Sequence, residues 1–357
     1  MRCHSPGPRF SSERVFITRY GVKIFGDGRQ RVRQNGAGTD AAVALQPRGR
    51  SGCNGVSALV EKIAGAVIML VKNHVFRGAI ACATLILFTQ ATACFADVSA
   101  FDHVADGLVF HSETETNPPQ RLFIATVDLA NPHLRLRVAP GGPDPDGDGK
   151  WQTTLMAPTQ IAAREKFDLV VNGDFFTAKG VNDGEGTNSH FRAAQWATVA
   201  GPAMTDGKTW SSGTNDRPCL VVHTNRSVTI EMLQRPAPGD WEVIGGNVLL
   251  VHDGQIVPHA SKARHPRTVV GLAASGSSLV ILVVDGRKPG VATGMTYDEL
   301  AVEMVRLHCR EALNLDGGGS SMMARRDASG ILKTVNEPTD GRERAVANVL
   351  GVSWEAN

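Results

Sequence analysis

Short apolar runs separated by polar or glycine-containing turns characterise the chain from about residue 121 onward. Seven of these runs have the length and the β-branched content that are typical of strands. They are residues 121–127, 134–139, 168–171, 219–223, 227–231, 247–252 and 279–284. Residues 248–257 also predict a β-hairpin, because the Asp253-Gly254 pair between two apolar segments suits the positive φ angles of a type I′ turn.

One helix is indicated by a capping box and an apolar face. The hydroxyl of Thr296 is placed to accept from the third residue of the helix, while Glu299 reaches back to the cap. Leu300, Met304 and Leu307 then recur at a spacing that brings them to one side of the helix. We interpret this face as core and not as a cofactor site.

A second helix is predicted from Thr153 or Thr154, either of which can cap it, to about Lys166. Many strands and hairpins with few helices, in no regular alternation, are typical of the α+β class. The sequence therefore predicts a single domain of mixed, largely antiparallel sheet with a few packed helices.

Residues 69–96 have the layout of a secretory signal peptide. A basic stretch follows Met69, and the apolar run of residues 78–88 leads into small residues. This run is shorter than the apolar segment that a transmembrane helix needs. We expect cleavage after Ala96 and a periplasmic or secreted protein, with no stable membrane span after cleavage. An uncleaved anchor and a lipoprotein modified at Cys94 are the alternatives.

Residues 1–68 are predicted to be a disordered or non-native extension, because arginine, glycine and serine dominate their first part without any sustained period. Residues 1–96 carry a net charge of +9, and the remaining chain, the predicted domain at 97–357, carries −7. This mild acidity argues against nucleic-acid binding, which requires a basic surface. Within the domain, Cys219 and Cys309 form either one disulfide or, as we prefer, two separate buried thiols.

The most distinctive chemistry lies in the segment Asp316-Gly317-Gly318-Gly319-Ser320-Ser321, which follows an apolar strand. Three successive glycines cost chain entropy on folding, so the local structure should require them. One such requirement is a set of backbone amides that approach an anion. The segment has neither the lysine of a P-loop nor the Gly-x-Ser-x-Gly pattern of a serine-hydrolase elbow. A flexible hairpin turn is the alternative.

Three further polar clusters follow or precede strands. Asn172 and Asp174 end one apolar run, Arg267 offers a guanidinium fork that suits phosphate oxygens, and Asp285 ends the most apolar run. The alternatives are that Phe175, which follows Asp174, closes the core and that Arg267 forms a surface salt bridge. A polar loop at residues 336–348 precedes a final strand.

These segments occur in an order that resembles the phosphodiester glycosidase family. They are residues 172–176 (Asn-Gly-Asp-Phe-Phe), 266–271 (Pro-Arg-Thr-Val-Val-Gly), 294–301, 314–321 and 336–348. The resemblance extends over roughly residues 121–352, and the Leu-Asp-Gly-Gly-Gly-Ser-Ser run is its most specific part. Asp174 departs from the family pattern, in which glycine is commoner at that position.

The resemblance implies an enzyme that hydrolyses a sugar–phosphate diester at the anomeric carbon, in the metabolism of exopolysaccharide or cell-envelope glycans. We expect Asp316 to be the nucleophile or general base, with Asp174 or Asp285 in the partner role. The expected substrate- or phosphate-binding residues are Asn172, Arg267, Gly317, Gly318, Gly319, Ser320, Asn336 and Arg344. The rival interpretations are a non-catalytic glycan-binding envelope protein and, less favoured, a metal-dependent phosphodiesterase acting at phosphorus.

No cofactor is certain, but calcium is one candidate. Asp144, Asp146 and Asp148 have the one-three-five spacing of a calcium loop. Leu155 stands where an EF-hand has its glutamate, which excludes a complete EF-hand. A partial calcium site and a solvated acidic loop both remain open.

Overall fold

The structure is a computed structural model that describes residues 102–184 and 190–355, and elsewhere only the backbone of β1 (Val15–Thr18), β2 (Gly21–Ile24) and β3 (Asp97–Val98). The chain divides into two units, Met1–Thr84 and Leu85–Asn357. In the first unit, β1 and β2 pair antiparallel. The predicted signal peptide at residues 69–96 lies outside the described residues, as does the rest of the predicted extension.

The described residues of the second unit contain β3 and twenty-one further strands with two helices. The strands are β4 (Asp102–Ala105), β5 (Leu108–Thr116), β6 (Pro119–Asp128), β7 (Leu134–Pro140), β8 (Thr153–Thr154), β9 (Leu169–Asn172), β10 (Phe176–Ala178), β11 (Trp196–Val199), β12 (Ala203–Thr205), β13 (Lys208–Ser211), β14 (Arg217–His223), β15 (Val228–Leu233), β16 (Asp240–Gly245), β17 (Val248–His252), β18 (Gln255–Ile256), β19 (Arg267–Ala273), β20 (Ser278–Val284), β21 (Cys309–Asn314), β22 (Met323–Arg326), β23 (Leu332–Thr334) and β24 (Asn348–Trp354). The helices are α1 (Pro158–Glu165) and α2 (Tyr297–Arg306), and Gly318–Ser320 forms one 3₁₀ turn.

The strands of this unit form four sheets. The largest has the order β18-β17-β21-β19-β20-β6-β5-β3, with β4 also paired to β5. Two five-stranded sheets have the orders β23-β22-β9-β24-β7 and β13-β12-β16-β14-β15, and β10-β11-β8 form the fourth. Every pairing between the named strands of the described chain is antiparallel. The α+β class with largely antiparallel sheet is confirmed, although helices are few.

The largest sheet and the β23-β22-β9-β24-β7 sheet pack face to face, and a helix covers the outer face of each. One cluster of buried side chains fills the space between the sheets, including Val171 of β9 and Leu313 of β21. A second cluster joins α2 to the largest sheet, and a third joins α1 to the other sheet through Val170. Because β9, β19 and β20 are buried on both faces, their sequences are continuous apolar runs without strict alternation.

All seven predicted strands are present, as β6, β7, β9, β14, β15, β17 and β20. The predicted hairpin is also confirmed, since Val251 pairs with Ile256 across the turn. Asp253 and Gly254 have φ angles of 52° and 75°, the two positive values that a type I′ turn requires.

The capping box of α2 is confirmed. Thr296 accepts from the backbone of Glu299, and the Glu299 side chain accepts from the backbone of Thr296 at 2.9 Å. Leu300 and Met304 are fully buried against the largest sheet, while Leu307 lies at the end of the helix and packs on the same cluster.

The predicted start of α1 is wrong. Thr153 and Thr154 form β8, and the helix begins only at Pro158, after an N-cap residue without a side-chain hydrogen bond. A distant carboxylate satisfies the first turn instead, because Glu343 accepts from the backbone of Thr159 at 3.1 Å. The N-cap residue Ala157 therefore offers no side-chain cap, and Pro158 at the first helical position is the local signal of the start.

Cys219 and Cys309 are free and buried, in agreement with the preferred interpretation of two separate thiols. Burial raises the pKa of both thiols, which keeps them protonated. In the described part of the chain, no helix has the length and apolar character needed to cross a membrane.

Candidate active site

The ends of three strands from the two packed sheets meet at one point. Strand β21 leads through Leu315 to Asp316, β9 leads to Gly173, and β19 begins at Arg267. The backbone N–H of Asp316 donates to the carbonyl of Gly173 at 3.0 Å, and that of Leu315 donates to Thr268 at 2.9 Å. Segments that are far apart in the sequence are thereby fixed around Asp316.

Asn172 lies beneath this junction and holds it together. Its Nδ2 donates to the carbonyl of Asp316 at 2.8 Å, and its Oδ1 accepts from Thr268 Oγ1 at 2.7 Å and from the backbone of Met322 at 3.1 Å. The side chain is fully buried and does not line the neighbouring cavity. The predicted substrate contact is therefore corrected: Asn172 positions the Asp316 backbone.

A cavity of about 310 Å³ opens in front of the junction, and we call it the Asp316 pocket. It is lined by Phe175, His265, Arg267, Arg287, Tyr297, Asp316, Gly317, Gly318, Gly319 and Arg344. Three arginines thus face one carboxylate in a concave site. Such an excess of positive charge attracts an anionic ligand.

The close approach of two arginines explains two of the glycines. A Cβ at Gly318 would lie 3.1 Å from Arg287 Nη2, and this residue also has a φ of +64°. A Cβ at Gly319 would overlap Arg344 Nη2. Side chains at these positions would force the guanidinium groups away from the turn.

The backbone amides of the turn are mostly occupied. Gly317 donates to Asp316 Oδ1 at 2.8 Å, and Gly318 donates to the carbonyl of Pro266 at 2.9 Å. Only the amide of Gly319 makes no hydrogen bond to the described residues. Of the three amides that we expected to hold an anion, two are therefore already engaged within the protein, and only that of Gly319 is left.

Asp316 keeps some exposed surface in the pocket, yet the surrounding protein raises the pKa of its carboxyl to about 6. Loss of solvation is the main cause, and it is opposed by the Ser320 hydroxyl, the Gly317 amide and the charge of Arg344. Ser320 Oγ is buried, forms no hydrogen bond with the described residues, and does not line the cavity, so the predicted substrate contact of Ser320 is corrected. At neutral pH most of the Asp316 carboxyl is ionised.

Arg267 is held rigidly. Its Nε donates to Met295 O and its Nη2 donates to Ala263 O, both at 3.1 Å, and its guanidinium lies 4.1 Å over the ring of Tyr297. Neither of these hydrogen bonds uses Nη1. A fixed cation at a pocket wall needs little reorganisation when charge develops on a ligand.

Arg344 and His265 complete the polar lining. Arg344 Nε donates to Asp340 at 2.9 Å, and its guanidinium lies 4.8 Å from the ring centre of Phe191. His265 Nδ1 lies 3.1 Å from an Nη2 atom of Arg287, which can only donate. The proton of a neutral His265 is therefore on Nε2, and burial followed by the charges of Arg267 and Arg287 lowers its pKa.

Asp174 does not line the pocket, and its predicted catalytic role is corrected. It is 2% exposed, and its two oxygens accept from the backbones of Phe175 at 2.7 Å and Gly201 at 2.6 Å. Burial raises its pKa to about 7 against the opposing charge of Arg217. Asp174 therefore has a structural position, and its carboxyl affects Asp316 only through the electrostatic interaction between the two groups.

Asp285 and Asn336 also lie behind the pocket wall. Asp285 is 1% exposed and accepts from Asn336 Nδ2 at 3.0 Å and from the backbone of Glu337 at 3.1 Å. Asn336 Oδ1 accepts from the backbone of Met323 at 2.9 Å. Asp285 was expected to be the partner acid and Asn336 a substrate-binding residue. Both expectations are corrected, because the two side chains form a buried hydrogen-bonded pair that fixes the 336–348 loop.

The acidic loop is closed on its own backbone. Asp144 Oδ1 accepts from the amides of Asp146 and Gly147 at 3.0 and 2.9 Å, and the Asp146 carboxylate accepts from Trp151. Within residues 102–184 and 190–355, no three His, Cys, Asp or Glu side chains are grouped so that they could hold a metal ion. This finding covers the predicted set of Asp144, Asp146 and Asp148. Calcium binding stays a prediction that calorimetric titration tests.

Four lining residues were not assigned from the sequence: His265, Arg287, Tyr297 and Phe175, for which closure of the core was the interpretation offered. The first two adjoin segments that were singled out, at Arg267 and Asp285. Tyr297 is the first residue after the helix cap, and its only signal is that position. Their convergence depends on the meeting of separate chain segments, which is a tertiary property.

The comparison with protein families decides what this chain is. The family model described as phosphodiester glycosidase matches residues 165–353, which include Asn172, Arg267, Asp316 and Arg344. The chain belongs to the phosphodiester glycosidase family. The resemblance seen in the sequence motifs is thereby confirmed.

Solved structures show the phosphodiester glycosidase fold at low sequence identity. The zebrafish N-acetylglucosamine-1-phosphodiester α-N-acetylglucosaminidase catalytic domain, described as auto-inhibited by its pro-peptide, matches with a TM-score of 0.50 and 17% identity, over 75% of this chain and 86% of that chain. A Burkholderia pseudomallei protein to which export is attributed matches with a TM-score of 0.50 and 15% identity, over 66% and 74%. No curated protein matches the sequence.

Proposed function

We propose that this phosphodiester glycosidase hydrolyses a sugar–phosphate diester at the anomeric carbon of the sugar. The observation that carries the proposal is the position of Asp316 in one pocket with Arg267, Arg287 and Arg344. A carboxylate beside three cations matches a substrate that has a reacting carbon next to an anionic phosphate. The zebrafish relative supports this reading, since its name specifies a 1-phosphodiester.

The phosphate fits the arginine side of the pocket. Arg344 lies against Gly319, whose amide makes no hydrogen bond to the described residues, and Arg287 lies against Gly318. Guanidinium groups form paired hydrogen bonds with phosphate oxygens. Tyr297 and Phe175 supply aromatic surface in the same cavity, on which a sugar ring can pack.

In the proposed reaction the bond between the anomeric carbon and the phosphate oxygen breaks, and its electron pair leaves with the phosphomonoester. Water supplies the new hydroxyl on the anomeric carbon and loses a proton. Asp316 accepts this proton as general base, or attacks the carbon itself before water releases the sugar. Because a phosphomonoester is a weak base, the reaction depends on charge stabilisation by arginine more than on a strong acid.

The test is hydrolysis of a panel of sugar-1-phosphodiesters by the purified protein, with chemical identification of both products. We expect release of a free sugar and a phosphomonoester. Asp316→Asn should reduce kcat by at least about 10³-fold, since it removes the proposed nucleophile or base. Near-normal turnover by this variant would exclude Asp316 from the chemistry.

One observation favours a second candidate, a non-catalytic glycan-binding envelope protein. Among the described residues, Asp316 is the sole carboxylate that lines the pocket, whereas typical glycosidases use two. Micromolar affinity for a phosphorylated glycan with no turnover on the panel would support this candidate.

We also propose that the protein is exported and acts on exopolysaccharide or another envelope glycan. The signal-peptide pattern of residues 69–96 supports export, and export is attributed to the Burkholderia pseudomallei relative. Expression of the full chain, followed by N-terminal sequencing of periplasmic and culture fractions, tests this. We expect a mature protein that begins at Asp97. Protein that stays in the cytoplasm and still carries residues 69–96 would contradict export.

A further inference from the structure

A second cavity of about 560 Å³ lies beside the Asp316 pocket. We call it the Arg192–Arg342 cavity. Its lining includes Phe191, Arg192, Asp340, Arg342, Glu343 and Arg344. Arg344 lines both cavities.

The shared arginine places the two cavities on either side of one cation. The Arg344 guanidinium lies against Gly319 in the Asp316 pocket and close to the ring of Phe191 in the second cavity. A phosphate held by Arg344 therefore has space on both sides. Its sugar ester points toward Asp316, and its other ester has the Arg192–Arg342 cavity available.

The charges in the second cavity are unbalanced. Glu343 is bonded to the backbone and hydroxyl of Thr159, and Asp340 is bonded to Arg344. By contrast, the guanidinium groups of Arg192 and Arg342 are exposed and form no ion pair or hydrogen bond with any part of the chain that the structure describes. The described lining therefore carries one more arginine than carboxylate, and the guanidinium groups of Arg192 and Arg342 are available to a ligand anion.

We propose that the Arg192–Arg342 cavity receives the leaving alcohol of the phosphodiester, and that this alcohol carries a negative charge of its own, such as a carboxylate. The inference rests on the proposed function, because it assigns the other half of the same substrate. It specifies a polyanionic glycan or an acidic acceptor, in preference to a neutral alcohol, as the group attached to the sugar phosphate.

The expected contribution is to binding. Arg192 and Arg342 contact only the leaving group, so they should lower KM with little change in kcat. Because both side chains are exposed, salt should weaken the effect strongly, whereas the buried Arg267 should be less sensitive.

Two substrates of nearly equal size test the proposal. Both contain the 1-phosphate of the sugar that the panel identifies, esterified in one case to butanol and in the other to 3-hydroxypropanoate. We expect a KM for the carboxylate substrate that is about tenfold lower at low salt and rises toward that of the butyl substrate at 0.5 M NaCl. The Arg192→Gln/Arg342→Gln variant should lose this preference and keep its kinetics on the butyl substrate.

Arg235→Gln is the matched control, because Arg235 is an exposed arginine outside both cavities. It removes one positive charge from the chain and should leave the preference intact. If the double variant does not fold, the single variants and the salt dependence of the wild-type protein give the same comparison.

The outcomes separate the two proposals. Equal KM values for both substrates, or a preference that survives in the double variant, would overturn the charged leaving group and leave the proposed function standing. Failure to cleave any sugar-1-phosphodiester of the panel would overturn the proposed function itself, together with the inference that depends on it.

Discussion

The guanidinium group of Arg344 lies directly against the backbone of Gly319, where no side chain fits between them. This contact joins the 336–348 loop to the turn that follows Asp316. It also places a cation beside the one amide of the triple-glycine turn that makes no hydrogen bond to the described residues. Gly319 is thus needed because a side chain there would displace Arg344, and Arg344 is needed because it binds the phosphate in the proposed function.

Gly319→Ala should raise KM on the order of tenfold, because the methyl group displaces Arg344 and a charged hydrogen bond to phosphate is lost. Steady-state kinetics with a cleaved diester measures this. Gly330→Ala is the control, since this glycine has a φ of +78° and open space around its Cβ position. It should cost some stability and leave KM unchanged. Normal KM in Gly319→Ala would separate Arg344 from substrate binding.

The pH dependence of activity should have its acid limb near pH 6. The pKa of Asp316 is about 6 in the folded protein, and only its ionised form can act as nucleophile or base. The value of kcat/KM should therefore rise as pH increases from 5 to 7 and then level off. A flat profile between pH 4 and 6 would show that this carboxyl does not govern the rate.

The free energy of unfolding should decrease as pH rises, in contrast to the activity. The pKa of Asp174 is about 7 in the folded protein against an ordinary value of 3.8, so the folded state binds the proton more tightly. This contribution to folding is complete below pH 3.8 and is lost as pH rises through 7, by about 4 kcal/mol in all.

Urea unfolding between pH 4 and 8 measures this loss. Asp174→Asn should make the decline shallower, leaving the part that comes from Glu242 and Asp316, whose pKa values are also raised, to about 7 and about 6. A wild-type free energy of unfolding that increases over this range, with no effect of the substitution, would contradict the assignment.

Asn172→Ala should destabilise the protein by about 3 kcal/mol, because Thr268 Oγ1 and the Met322 amide lose a buried acceptor. Activity should fall as well, since the Asp316 carbonyl loses its donor. Asn225→Ala is the matched control, because Asn225 is exposed and bonds only within its own turn. Its cost should stay below about 1 kcal/mol. Equal costs for the two substitutions would disprove the bridging role of Asn172.

Much of the fold could be predicted because its signals are local. Strands such as β20 are continuous apolar runs, and the Thr296 box caps α2 with residues three apart. The start of α1 was misplaced because Ala157 offers no side-chain cap and the first turn is satisfied by Glu343, which is 184 residues away from Thr159 in the sequence. Pro158 at the first helical position was the local signal that the helix begins there.

The site was predictable in part for a related reason. Asp316, Asp174 and Asp285 all follow strand ends, and sequence position does not distinguish them. The structure does, because only Asp316 faces the cavity while the other two accept hydrogen bonds from backbone amides behind it. The direction in which a carboxylate points depends on tertiary packing that no single segment encodes.

Hydrolysis of a sugar-1-phosphodiester in ¹⁸O-labelled water tests the central claim most directly. Cleavage at the anomeric carbon, with Asp316 as nucleophile or base, predicts that the label appears in the hydroxyl of the released sugar and that the phosphomonoester stays unlabelled. Label in the phosphomonoester would show attack at phosphorus and would contradict the account.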